Sequence, residues 1–177
     1  MRYISIILTL ILTFSCKVKA QETDLKIVCN ESIKNDHEYS EPIIIKTCEF
    51  KNHLFKSIGT ADYKGRYSYK YELFQIDKKD TIKVKNSDFF NEKVIGLEEL
   101  INDKIKSEYE SNSKIPEISD CMKCIDFRLY KLNEFGISFR DKNRIEFNID
   151  NGIGSVCFNV SSSSIVLELS ELEKYLK

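Results

Sequence analysis

The 177-residue sequence has no tryptophan, only two prolines, six glycines and two histidines. Pro42 and Pro116 lie far apart, and no repeat, low-complexity block or Pro/Gly-rich linker divides the chain. A single domain is therefore expected after the N-terminal segment. Of the two histidines, His37 falls in a polar stretch and His53 beside a strand end. Neither has a nucleophile motif such as G-x-S-x-G nearby, which removes the usual basis for a hydrolase triad. Gly152-Ile153-Gly154 lacks the third glycine and the following helix of a dinucleotide loop and reads as a turn. Acidic neighbours such as Glu98-Glu99 fit a solvated helix face, and spacing alone does not make a glycosidase pair. The sequence gives no warrant for a catalytic constellation, a metal or a cofactor. Beyond the first twenty residues there is no second long apolar stretch, so no transmembrane helix is expected.

What the chain does have is a greasy start. Met1-Arg2-Tyr3 precedes an apolar run from Ile4 to Phe14. That run is too short for a bilayer, which needs about 20 residues, and a charged residue leads it. Length and flanks match a cleavable secretion signal. Two processing chemistries stay open. Val18-Lys19-Ala20 before Gln21 offers small or apolar residues where a signal peptidase reads, and cleavage there is preferred. Thr13-Phe14-Ser15-Cys16 resembles a lipobox without its usual Leu; it would leave Cys16 as a lipidated N-terminus, an anchor rather than a span. Residues 1–20 are thus expected to be a signal peptide and residues 21–177 one domain that is periplasmic, secreted or tethered as an outer-membrane lipoprotein. Without residues 1–20 the chain carries 24 basic against 28 acidic side chains. Such mild acidity argues against nucleic acid as a partner, because a basic face is required.

An oxidising compartment makes disulfides plausible for Cys29, Cys48, Cys121, Cys124 and Cys157. Five is odd, so at least one thiol stays free or pairs between chains. The expected pairs are Cys29–Cys48 and Cys157 with Cys121 or Cys124. Cys121-Met122-Lys123-Cys124 also has the spacing of a redox or zinc pair. The redox form needs its first cysteine at a helix N-terminus. Ile125, Phe127 and Leu129 alternate instead, as in a strand, so structural cysteines are the preferred reading and a thiol-dependent envelope protein the alternative.

Periodicity divides the remainder into elements. Leu25 to Cys29 and Ile43 to Phe50 read as strands, with a polar loop from Glu31 to Glu41. Tyr67, Tyr69, Tyr71 and Leu73 share one strand face, opposite Arg66, Ser68, Lys70 and Glu72. Asp77 to Asp80 turns that strand into Thr81–Lys85. Leu97, Leu100, Ile101, Ile105 and Tyr109 recur at helical steps, predicting an amphipathic helix over about 96–111 with Glu98 and Asn102 on its wet side. Alternating strands follow around Ile125, Ile145, Val156 and Ile165, and Ser170 with Glu173 forms a capping box for a short closing helix. The class is α+β: one mainly antiparallel curved sheet, a principal helix packed on it and a short C-terminal helix.

Several passages resemble known families. Phe135-Gly136-Ile137-Ser138-Phe139, the stretch from Gly152 to Val160, and the ending from Leu167 to Leu176 resemble a family of exported bacterial domains of unknown function. A related domain occurs in the extracytoplasmic part of a lysozyme-sensing anti-sigma factor and beside a peptidoglycan deacetylase. Ser87-Asp88-Phe89-Phe90, between a strand and a helix, is similar to a passage of that domain. Gly59 to Tyr67 looks like a feature of uncharacterised secreted proteins. The resemblance implies an exported α+β module and envelope binding, and brings no catalytic residue. The binding candidates are Tyr63, Arg66, Tyr67, Tyr69, Lys70 and Tyr71, since tyrosines beside cations can stack on sugar rings or anchor a protein. The competing reading buries those tyrosines in the core and leaves Arg66 and Lys70 in water. The expected function is a non-catalytic module that binds a protein or glycan of the cell envelope.

Overall fold

The computed structural model describes residues 26–34, 42–62, 64–78, 80–152 and 155–177. The expected signal peptide with Cys16 and Ala20, as well as His37 and Tyr63, lies outside the described residues. The class is α+β, dominated by antiparallel sheet. Instead of one curved sheet there are two. β1 (Val28–Lys34), β2 (Ile43–Phe50), β3 (His53–Ala61), β4 (Tyr67–Asp77) and β5 (Asp80–Val84) form a five-stranded meander in chain order. After α1 (Asn86–Phe89), α2 (Val94–Asn112) and α3 (Ser119–Met122), a second, three-stranded meander contains β6 (Gly136–Phe139), β7 (Arg144–Asp150) and β8 (Ser162–Glu168). α4 (Leu169–Leu172) follows at once.

The core lies where the sheets and α2 meet. β2 and β3 join through Lys51 and Asn52, both at positive φ (47° and 58°), the left-handed pair that suits the twist of a two-residue hairpin. This hairpin swings Phe50 and Phe55 onto Phe139 of β6, with ring centroids 5.6 and 5.0 Å away in edge-to-face contact. Phe89 of α1 completes the cluster, 5.1 Å from Phe55. On the same apolar face of β6–β8, Leu97, Ile101 and Ile105 of α2 are buried, and the helix packs on β8. The helical stripe read from the sequence is thus the buried one.

Five local expectations are corrected. The first strand is Val28–Lys34 and runs into the stretch read as a loop, because every side chain of β1 is exposed and the strand carries no amphipathic pattern. Pairing with β2 holds it there. Residues 125–129 form no strand. Ile125 and Phe127 are half-buried and Leu129 is 72% exposed. Their alternation lacks a strand partner, and the chain beyond is tied to α2 instead. Tyr130 N donates to Asn102 Oδ1 (2.8 Å), Asn102 Nδ2 donates to Tyr130 O (2.9 Å), and Leu132 N donates to Glu98 Oε1 (2.8 Å). Asn102 and Glu98 are therefore clamps rather than solvated residues. Ser155–Val160 is 3-10 helix rather than strand. The final cap lies two residues earlier than expected, with Glu168 N donating to Glu171 Oε2 at 2.9 Å.

Candidate functional site

β6 lies across the faces of β3 and β4, contacting both, and divides one continuous surface in two. The register places Phe55 opposite Leu73, Ser57 opposite Tyr71, Gly59 opposite Tyr69 and Ala61 opposite Tyr67. Directly opposite residues share a face. Leu73 and Phe55 fall on the core side of β6 and are buried. Tyr71 sits at the crossing, against Gly136, where its Cδ2 and Cγ leave no room for a Cβ. Tyr69 and Tyr67 project beyond β6, and Tyr69 is 49% exposed. Both readings of the tyrosine face are thus partly realised: the row begins in the core, opens at Tyr69 and ends at a half-buried Tyr67.

Small residues on β3 let the rings lean over. A Cβ on Gly59 would come within 2.6 Å of Tyr69 Cε1, so the ring covers that backbone directly. Successive rings are tilted by only 30° and 28°, with centroids 6.2 and 6.3 Å apart from Tyr67 to Tyr69 to Tyr71. Among the described residues none of the three phenols has a hydrogen-bond partner. Burial, with the Glu146 charge and Tyr69 beside it, pushes the Tyr71 phenol up to about 12.

The facing wall is the polar side of β6–β8. Gly136 pairs with Asn148, Ser138 with Glu146, and Asn148 with Ser164. Ser138 Oγ donates to Glu146 Oε2 (3.3 Å), Arg140 Nη1 donates to Glu146 Oε1 (3.3 Å), and Asn148 Nδ2 donates to Ser138 Oγ (3.2 Å). No described donor reaches Asn148 Oδ1. Between the walls runs a groove of about 840 Å³. On the five-stranded sheet its floor adds Ser57, Ile44, Lys46 and Glu31, the last two opposite each other in register. Lys46 Nζ donates to Phe139 O at 2.7 Å.

The two cations named with the tyrosines do other work. Arg66 Nε donates to Asp62 Oδ2 at 2.7 Å, and the same carboxylate accepts from Lys64 N and Arg66 N at 2.8 and 3.0 Å. This closes the β3–β4 turn and lowers the Asp62 carboxyl to about 2, through the Arg66 hydrogen bonds first. Lys70 lies on the opposite face of β4, with Nζ 3.2 Å from Glu72. The polar wall of β6–β8 was not singled out in the sequence.

Cys29 is bonded to Cys48 and Cys121 to Cys157, while Cys124 is a free, exposed thiol. The C-x-x-C motif therefore holds one committed sulfur and one thiol. Contrary to expectation Cys121 is in a helix, but α3 has only four residues. His53 Nδ1 donates to Lys51 O at 2.7 Å and its ring packs on Phe89. Among the described residues no group of three or more His, Cys, Asp or Glu is placed to hold a metal ion, and no helix is long and apolar enough to cross a membrane. A smaller cavity of about 90 Å³ lies between α2 and β8, where burial raises the Glu108 carboxyl.

Comparison of the chain with protein-family models, curated proteins and solved structures finds no match.

Proposed function

We propose that the protein is an exported, non-catalytic domain that binds a component of the cell envelope in the groove between its sheets. One observation carries the reading: Tyr69, about half exposed, and Tyr67, partly exposed, project past the core without a described hydrogen-bond partner on their phenols, facing a wall of hydroxyl, amide and carboxylate groups. Neighbouring aromatic rings left open together, rimmed by polar groups, mark an interaction surface more than single exposed side chains do. Export is supported by the charge-led apolar run of residues 4–14 and by two disulfides, which persist in oxidising surroundings. The resemblance of the passages at 87–90, 135–139, 152–160 and 167–176 to exported bacterial domains points the same way. Binding is favoured over thiol chemistry because Cys121 is engaged by Cys157, leaving no dithiol pair at the motif.

The experiment is retention from cell-envelope extract on immobilised protein, with Tyr69→Ala beside the wild type. A protein or glycan held by the wild type and lost from the variant supports the reading. If wild type and variant retain the same material, or nothing, the groove is not a binding site.

A further inference from the structure

Resting on that reading, we infer that the groove's occupant is an uncharged oligosaccharide, seated with sugar ring faces on Tyr69 and Tyr67 and hydroxyls on the β6–β8 wall.

Four features select this class. The first is the tyrosine row. A pyranose ring offers a face of C–H bonds flanked by hydroxyls, and an aromatic ring with a wet phenol at its tip complements both parts. Tyr69 leans on Gly59 with about half of its surface open, so its ring is fixed in place before any ligand arrives. A preordered ring loses little freedom on binding.

The second feature is the composition of the opposite wall. Ser138, Asn148, Glu146 and Ser164 present acceptors and donors side by side, and Asn148 Oδ1 and the tyrosine phenols have no described partner. A polyol satisfies such a surface, since each hydroxyl both donates and accepts. Apolar anchors of a protein partner would find few pockets to fill there.

Third, the β6 edge that borders the groove is not free for an added peptide strand, which leaves β1, reaching the groove through Glu31, as the edge a peptide would have to use. Strand addition needs free backbone groups along an edge. On β6, side chains already occupy the carbonyl that ends the strand and the one just before the strand begins. Lys46 Nζ donates to Phe139 O (2.7 Å), and Asn86 Nδ2 donates to Phe135 O (2.6 Å).

Fourth, charge argues against an anionic ligand. Glu146 is paired with Arg140 (3.3 Å), Glu134 with Arg128 (2.6 Å), and Lys46 faces Glu31 across the β1–β2 ladder. Asp150 also lines the groove, so its described lining carries Glu31, Glu134, Glu146 and Asp150 against Lys46 and Arg140, and an anionic polymer would not be concentrated there. A volume of about 840 Å³ is ample for several sugar rings, since pockets for small ligands run to roughly 300–1,000 Å³.

The test is titration calorimetry and amide-shift mapping of the purified protein with cellotetraose, chitotetraose, maltotetraose and mannotetraose, and with neutral glycans released from envelope extract. At least one should bind, with shifts on β4, β6 and β7. Tyr69→Ala and Asn148→Ala should each weaken it about tenfold or more, the scale of one lost stacking or hydrogen-bonded contact. Lys70→Ala, on the far side of β4, should leave it unchanged. Circular dichroism and thermal unfolding confirm that each variant is folded. Failure of all these saccharides to bind, while the same protein captures an envelope protein through Tyr69, overturns the saccharide inference and leaves the binding domain standing. Binding that is indifferent to both groove substitutions overturns the assignment to this groove.

Discussion

The Tyr71 ring occupies the space where a side chain at position 136 would begin, so β6 can cross β4 only because Gly136 has none. Gly136→Ala should therefore destabilise the protein by about 1–3 kcal/mol, the usual cost of overfilling a packed contact. Urea unfolding measures it. In Gly136→Ala/Tyr71→Ala the penalty of the alanine should largely vanish, because residues in contact are not additive. Full additivity would show that the two do not share the crossing.

Tyr71 should also titrate late. Its phenol is raised to about 12 from an ordinary 10, so the fold holds the proton more tightly than the unfolded chain does. The contribution to stability is complete below about pH 10 and is lost as pH rises through about 12. Phenolate absorbance should show one delayed component, and Tyr71→Phe should remove it. A wild-type curve without a late component would count against the burial described for this ring.

The two disulfides close loops spanning 19 and 36 residues. Chain-entropy scaling puts their contributions at about 3 and about 4 kcal/mol. Paired Cys→Ser variants, Cys29/Cys48 and Cys121/Cys157, should lose stability in that order of increasing severity. Alkylation of the native protein followed by mass spectrometry should label Cys124 and none of these four. Label on Cys121 would reopen the thiol chemistry of the C-x-x-C motif.

Asn102 is 6% exposed and holds both backbone groups of Tyr130. Asn102→Leu keeps the volume but strands a buried donor and a buried acceptor, at about 1–3 kcal/mol each. The loss should appear in thermal unfolding together with faster amide exchange at Tyr130. An unchanged melting temperature would mean that the clamp is replaced by water.

Much of the fold was legible where a segment has two unlike faces. The α2 stripe of Leu97, Ile101 and Ile105, the alternation of β4 and that of β7 each name an element and its inward side. β1 was not legible because it buries nothing and owes its place to β2. The β2–β3 hairpin was hidden for another reason: Lys51-Asn52 adopts a backbone that usually advertises itself as Asn-Gly. Ile125, Phe127 and Leu129 misled because alternation records only which side faces inward, and the polar clamps of Glu98 and Asn102 gave that backbone other partners. For the groove, the tyrosines were visible and their surroundings were not. Whether Tyr69 is buried depends on how far β6 reaches along β4, which is set by a glycine 67 positions further along the chain.

β4 has one inward face for two tasks, with Leu73 in the core and Tyr69 in the groove only four residues away. Anything that fastens the outer rings must therefore also brace the junction beneath them, and occupancy should register as heat resistance. An occupant at a hundred times its dissociation constant adds about 2.7 kcal/mol to folding. A melting curve is then a ligand detector for this molecule, one that needs no label, no activity and no prior guess about which compound to try.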